Sequence, residues 1–182
     1  SWSTHSDFSP SVSTADVTAI SSAPAGLSIN TTYYFRVRAR GHAAYTAFTP
    51  AAGVDLSTAT LCVPPGSGAF TAVNIDSFTF AWSSGTAPSF NPPWTLYDAE
   101  ISISTDNWQV IYASTRTAAL QMTFTGLAPG TFYSARARAI NSNGTPTAVT
   151  ATTTTAPGNL TNMDFPGRPE PPTPTSKFSY NG

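Results

Sequence analysis

Short runs that alternate apolar with polar or small residues dominate the pattern along this chain, and Gly, Pro, Asn and Ser bound most of them. Residues 78–82 read Phe-Thr-Phe-Ala-Trp, and residues 97–104 alternate in the same way over a longer stretch. A repeat of two residues is typical of a β-strand with one buried face, and no segment shows the 3.6-residue repeat of an amphipathic helix. The pattern predicts an all-β protein built from antiparallel strands.

The stretch at 97–104 also predicts which side chains are buried. One face would turn inward and carries Tyr97, Ala99, Ile101 and Ile103. The other face would be solvated and carries Asp98, Glu100, Ser102 and Ser104. The first two of these resemble a catalytic carboxylate pair, but nothing around them indicates a cleft, so we expect a solvated strand face.

An internal repeat carries more information than any single motif. Residues 26–39 recur at 126–139, an offset of 100, and the two occurrences share Gly, Leu, Thr, Tyr, two Arg and a final Ala. Upstream, residues 2–4 parallel residues 103–105, and Phe8 parallels Trp108. Because side chains alternate along a strand, one parity would face the core, namely Tyr33, Phe35, Val37 and Ala39. The arginines at 36, 38, 40, 136 and 138 would lie on the outer face.

The repeated motif, a Leu, a turn, a Thr and then Tyr-x-x-Arg-x-x-Ala, resembles the end of strand E and strand F of fibronectin type III domains. In such domains a tyrosine corner bonds its hydroxyl to upstream backbone, and Tyr33 and Tyr133 stand at this position. Trp82 resembles the buried tryptophan of strand B, and residues 97–104 and 141–144 resemble strand C and the F–G turn. The resemblance implies tandem antiparallel β-sandwiches, fibronectin type III-like or immunoglobulin-like.

The resemblance divides the chain into three parts. Residues 1–63 would be an incomplete domain that lacks its first strands, and residues 64–155 a complete one. Residues 156–182 would be an extended, Pro-rich tail, because proline cannot donate to a central ladder. This tail carries apolar side chains without a domain of their own: Leu160, Met163, Phe165, Phe178 and Tyr180. We therefore expect the tail to be a donor strand.

The unmatched ends favour a structural function. The tail of one subunit would complete the first domain of the next, giving a head-to-tail homo-oligomeric filament or surface stalk outside the cell. The alternative is an adhesin, a carbohydrate-binding module or a spacer that is a fragment of a longer multi-domain secreted protein. Sugars stack on exposed aromatic rings, so Trp94 and Trp108 are candidates for that function, although the alignment of Trp108 with Phe8 favours a structural role.

Composition narrows the range of partners. Charged residues make up 9% of the chain, against roughly 25% in an ordinary soluble domain. The sequence contains no basic patch suited to nucleic acid, no polybasic segment suited to an anionic membrane, and no apolar run of the roughly 20 residues that span a bilayer. Ser and Thr dominate the polar positions, which is typical of secreted proteins with O-linked glycans.

The sequence shows no catalytic, metal-binding or cofactor-binding motif, so an enzyme is not expected. The single cysteine, Cys62, excludes an internal disulfide and is expected to be a small buried residue. With one cysteine and two histidines, a zinc site of usual spacing cannot be built. Candidate glycosylation sites are Asn30, Asn143 and Asn159 for N-linked glycans and Thr173 and Thr175 for O-linked ones.

Overall fold

The computed structural model describes residues 1–10, 12–51 and 55–149, together with the backbone of residues 151–155. In this part of the chain the strands pair antiparallel, and the only helical element is a 3₁₀ turn at Ser104–Asp106. The strands are β1 (Trp2–Ser3), β2 (Thr32–Phe35), β3 (Ser57–Ala59), β4 (Gly66–Val73), β5 (Phe78–Ser83), β6 (Gly85–Thr86), β7 (Ser89–Phe90), β8 (Leu96–Ile103), β9 (Ala113–Thr117), β10 (Gln121–Phe124), β11 (Tyr133–Ile140) and β12 (Ala151–Thr155). The predicted all-β, antiparallel architecture is confirmed. The predicted tail, residues 156–182, lies outside the described residues.

Residues 64–155, called the second copy below, form a sandwich of two sheets. One sheet has three strands in the order β10-β5-β4, and the other has four in the order β12-β11-β8-β9. β11 pairs with β8 along its whole length, from Tyr133 opposite Ile103 to Ile140 opposite Leu96. Division of consecutive strands between two facing sheets is the arrangement that the sequence resemblance implies.

Aromatic side chains of β5 fill the space between the two sheets. Phe78 and Phe80 are fully buried, and Trp82 is 5% exposed. The facing sheet supplies small residues to the same core cluster, namely Ala99, Ala135, Ala137 and Ala139, together with the large side chains of Tyr97, Ile101 and Tyr133. Alanines placed between large side chains leave room for the rings of both sheets, which allows the close packing that a protein interior requires.

The outer face of β8 differs from the prediction, whereas its inner face is buried as predicted. Glu100 is 9% exposed and Ser102 is fully buried, so the prediction of a solvated face is wrong. Glu100 accepts hydrogen bonds from Arg136 at 2.8 Å and Arg138 at 3.3 Å, and Ser102 donates to the Val110 carbonyl at 2.6 Å. Long arginine side chains from β11 cover the carboxylate, which alternation within β8 alone cannot reveal.

Asp98, the other carboxylate of the suggested pair, belongs to the same set of ion pairs. Arg116 of β9 donates to it through Nε at 2.6 Å and Nη2 at 3.1 Å. This hydrogen bond holds the pKa of Asp98 below its usual range. Asp98 and Glu100 therefore accept hydrogen bonds from arginines of the neighbouring strands, which ties β8 to β9 and β11.

Residues 1–63, called the first copy below, contribute one sheet in the order β1-β2-β3. Trp2 lies opposite Phe35 just as Ile101 lies opposite Ala135, so Trp2 corresponds to Ile101. The predicted correspondence of Trp2 with Ile103 is wrong by two residues. It rests on the Ser-Thr pairs that follow both residues in sequence, and these do not occupy equivalent positions in the strand pairing. The three strands thus match β8, β11 and β12 of the second copy.

The inner face of β2 and the residues that follow it is only partly covered. Tyr33 is 7% exposed, but Val37 is 62% exposed, whereas its counterpart Ala137 is 1% exposed. Ala39 is also exposed. No second sheet lies over Val37 and Ala39 within the described residues, so these positions of core-facing parity are exposed.

Each copy contains a tyrosine whose hydroxyl binds the backbone five residues upstream. The Tyr33 hydroxyl accepts a hydrogen bond from the Ser28 N–H at 2.9 Å, and the Tyr133 hydroxyl accepts one from the Ala128 N–H at 3.2 Å. Both contacts tie the turn before the strand to the strand itself, as a tyrosine corner does. The structure therefore repeats this local arrangement in both copies.

Replacing Tyr133 with Phe removes this hydroxyl from a fully buried ring. We expect the free energy of unfolding to fall by about 1 kcal/mol, because one intramolecular hydrogen bond is lost without a change of shape. Urea denaturation followed by tryptophan fluorescence measures the change. Tyr45→Phe, which removes a hydroxyl from a half-exposed tyrosine, is the control, and an equal loss in both variants would contradict the assignment.

Candidate functional site: an asparagine joint between the two copies

Buried asparagines cluster where the first copy meets the second. The first copy contributes the turn before β2 and the segment after β3, and the second copy contributes the loops β7–β8 and β11–β12. Asn30, Asn91 and Asn141 are 3%, 6% and 5% exposed, and Thr95 is fully buried. Buried polar groups are stable only when they are hydrogen-bonded, so their partners define the contact. This cluster is called the asparagine joint below.

Asn30 binds the second copy with both ends of its side-chain amide. Its Nδ2 donates to Thr95 Oγ1 at 2.9 Å, and its Oδ1 accepts from the Ser142 N–H at 2.8 Å and from the Ser142 hydroxyl at 3.1 Å. The residue has a φ of +47°, which asparagine tolerates better than most other residues. The left-handed turn therefore aims the amide at the second copy.

Asn141 makes the reciprocal contact from the second copy. Its Nδ2 donates to the main-chain carbonyls of Ala59 at 3.4 Å and Thr60 at 3.3 Å. Its Oδ1 accepts from the backbone N–H groups of Asn143 at 3.1 Å and Thr145 at 2.7 Å. One side chain thus shapes the β11–β12 turn and binds the end of β3, so the turn and the contact form together.

Asn91 holds the segment that links the copies. Its Oδ1 accepts from the Val63 N–H at 2.9 Å, and its Nδ2 donates to the Val63 carbonyl at 2.7 Å and the Ser84 carbonyl at 2.6 Å. The neighbouring Cys62 is buried in the core cluster, and burial raises the pKa of its thiol. The prediction that Cys62 is a small buried residue is confirmed, and the linker is anchored on both sides of residue 63.

The joint is suited to fixing an orientation. Its side chains donate and accept between the copies, and each amide has partners for both its oxygen and its nitrogen. Opening the joint would expose these groups to water, but losing a single partner while the rest stays buried is costly. We therefore expect the hydrogen bonds of the joint to form and break together.

The candidate glycosylation sites differ in their exposure. Asn30 is buried with its Nδ2 bound to Thr95, so a glycan on this nitrogen would displace that contact. Asn143 is exposed, although its Nδ2 donates to Thr58 Oγ1 at 3.3 Å. Asn159, Thr173 and Thr175 lie outside the described residues, as do the apolar tail residues Leu160, Met163, Phe165, Phe178 and Tyr180.

The two tryptophans suggested as sugar platforms have different environments. Trp94 is 66% exposed. Trp108 is half-buried, and the Arg136 guanidinium lies 4.0 Å from its ring centroid. In the first copy Arg36 lies 3.9 Å from the Phe8 ring centroid, and Phe8 and Trp108 have φ values of +59° and +61°. Trp108 and Phe8 thus have matched local geometry, each with an arginine guanidinium over its ring.

Sequence reasoning missed the joint itself. Asn91 and Thr95 lie in a Pro-rich loop, and Asn141 reads as an ordinary turn residue. Asn30 was noticed only as a candidate glycosylation site. The single signal that points to it is an asparagine in the first occurrence of the repeat where the second has Gly130.

Within the described ranges, no group of three or more His, Cys, Asp or Glu side chains is placed to hold a metal ion. The same part of the chain contains no helix that is long and apolar enough to cross a membrane.

Comparison with known proteins points to one family. The family model described as fibronectin type III domain matches residues 63–155. No curated protein matches. Among solved structures, a fibronectin type III domain of human fibronectin type III domain containing protein 3 is 18% identical, with a TM-score of 0.45, and the match covers 57% of this chain and 94% of that one. The FN1–FN3 domains of chicken CNTN1 are 14% identical, with a TM-score of 0.45 and coverage of 74% and 45%.

Replacing Asn30 with Gly removes the amide but keeps a residue that adopts positive φ without strain. We expect the free energy of unfolding to fall by about 1–3 kcal/mol, because Thr95 and Ser142 lose a buried partner. Thermal and urea unfolding measure this, and NMR shifts of the Thr95 and Ser142 amides localise it. Asn107→Gly is the matched control, since Asn107 is exposed and has a φ of +45°. Equal destabilisation by the two changes would argue against the joint.

Proposed function

Because this chain belongs to the fibronectin type III family through residues 63–155, we propose that it is a non-catalytic structural segment of a multi-domain extracellular protein, in which a fixed joint sets the orientation of two neighbouring copies. The single observation that carries the proposal is the asparagine joint. Asn30 and Asn141 each bind the opposite copy, and Asn91 anchors the linker between them.

The linker reinforces this interpretation. Residues 60–65 separate β3 from β4, and they include Pro64 and the buried Pro65. Neighbouring domains usually move relative to one another unless their contact is extensive. Here a short, Pro-containing linker and buried polar contacts on both sides of it restrict that motion, which suits a spacer that holds other domains at a set angle.

The titratable groups support a structural role for the second copy. Burial raises the pKa values of Tyr97 and Tyr133 in the core, and the hydrogen bond to Arg116 lowers that of Asp98 on a strand face. Groups with shifted pKa values often mark catalytic clefts. In this copy they lie in the packed core and in the strand ion pairs, where they stabilise the sandwich.

The test measures the relative orientation of the copies in solution. We expect residual dipolar couplings and small-angle X-ray scattering of the whole chain to fit one relative orientation. The double variant Asn30→Gly/Asn141→Gly should require a broad ensemble, because both reciprocal contacts are lost. The second copy's own couplings serve as the internal control. A wild-type chain that already requires a broad ensemble would refute the fixed spacer.

A second candidate is head-to-tail assembly into a filament, and one observation favours it. Val37 and Leu56 of the first copy are 62% and 59% exposed, and they line a groove of about 430 Å³ between the sheet and residues of the segment 15–24. An extended segment with alternating apolar side chains would bury Val37 and Leu56 by strand addition. The chain contains such side chains at Leu160, Met163, Phe165, Phe178 and Tyr180.

Truncation after Pro157 tests assembly. If the tail fills the groove of a neighbouring subunit, the full chain should form concentration-dependent polymers by light scattering and electron microscopy, and the shortened chain should stay monomeric. A full-length variant with Phe165→Ser, Phe178→Ser and Tyr180→Ser controls for length and should also stay monomeric. Monomers in all three samples would eliminate assembly and leave the spacer as the function.

A further inference from the structure

A cavity of about 550 Å³ lies beside β2 in the first copy, away from the asparagine joint. The residues that line it include the aromatic Phe8, Tyr34 and Phe48, the cationic Arg36 and the anionic Asp7 and Asp55. The volume falls within the range of roughly 300–1,000 Å³ that small-molecule sites occupy. Mostly apolar walls with a few charged groups are also typical of such sites.

Arg36 is held between two aromatic rings at one side of the cavity. Its Cζ lies 3.9 Å from the Phe8 ring centroid and 4.1 Å from the Phe48 ring centroid. Its Nε is buried and has no hydrogen-bond partner among the described residues. The rings fix the plane of the guanidinium, so its donors keep a defined direction without a carboxylate to occupy them.

The two carboxylates supply acceptors near this donor. Asp7 Oδ1 accepts from the Ser9 N–H at 3.0 Å, which orients its carboxylate. Neither Asp7 nor Asp55 forms an ion pair with another described residue. The cavity thus combines one cationic donor with two anionic acceptors, and aromatic carbon fills the walls between them.

Among its described residues, the second copy lacks this combination of a free arginine, two carboxylates and aromatic walls, so the combination is not a general property of the fold. Its Arg136 also stacks on a ring, that of Trp108, but it is closed off by Glu100 at 2.8 Å. Thr46 and Thr147 occupy equivalent positions, since each hydroxyl accepts a backbone N–H from the strand before it. After these threonines the first copy has Phe48 where the second has Ala148 and Val149, so the second aromatic wall is specific to the first copy.

We propose that this cavity binds a neutral saccharide unit. A cationic ligand would meet Arg36, and an anionic ligand would meet both aspartates, so either would oppose a charge in the lining. A neutral ring with several hydroxyls donates to the carboxylates and accepts from the guanidinium at the same time. Its C–H groups pack on the aromatic carbon of Phe8 and Tyr34, since the guanidiniums of Arg36 and Arg38 already lie over the Phe48 ring.

NMR titration of the ¹⁵N-labelled whole chain tests the proposal. The probes are glucose, galactose, mannose, N-acetylglucosamine, cellobiose and chitobiose at millimolar concentrations. At least one should cause saturable shifts at the amides of Tyr34, Arg36, Ala47 and Asp55. Asp7→Asn and Asp55→Asn should each weaken this binding about ten-fold, because a charge-assisted hydrogen bond becomes a neutral one.

Trp94→Ala is the control for a separate aromatic platform, since Trp94 is 66% exposed and does not line the cavity. Binding should survive this change, and the spectrum of the second copy should remain dispersed in every variant. Absence of saturable shifts with all six sugars would overturn the proposal. Unchanged affinity in both aspartate variants, or loss of binding in Trp94→Ala, would also overturn it.

Discussion

The packing of aromatic side chains from both sheets around the alanines of β11 is the constraint on which the rest of this structure depends. The Phe78 ring lies 6.1 Å from the Tyr133 ring and the Trp82 ring 5.9 Å from the Tyr97 ring, with Ala135, Ala137 and Ala139 in the same cluster. A larger residue on β11 would push the sheets apart, because packed interiors tolerate little extra volume. With the sheets at this spacing, the loops that carry Asn91 and Asn141 reach the first copy, and the joint becomes possible.

Much of this fold could be predicted from the sequence, because strand alternation and the repeat are local signals. The alternation of residues 97–104 located β8, and Tyr33 and Tyr133 located the strands that start beside them. The outer face of β8 was misjudged, since the burial of Glu100 depends on arginines that are distant in sequence. Local periodicity indicates which side chains share a face of a strand. It does not indicate whether side chains of a neighbouring strand cover that face.

The joint was beyond prediction for the same physical reason. Asn30 and Ser142 are far apart along the chain and meet only after two sheets and two loops are in place. Each residue alone has the properties of a turn residue, and turn residues are usually solvated. The asparagine at position 30 also has a local interpretation as a glycan acceptor, and its burial and partners become visible only in the folded chain.

Asn30, where the first copy contacts the second, also implies that the junctions in an array of such domains differ in stiffness. At the matching position the second copy has Gly130, with a φ of +69°, where the first has Asn30 with a φ of +47°. Both residues permit the same left-handed turn, but glycine carries no amide to reach a neighbour. A domain placed after the second copy in the same manner would pivot on its linker. Bending would concentrate at that linker, while the first and second copies moved together as one rigid unit.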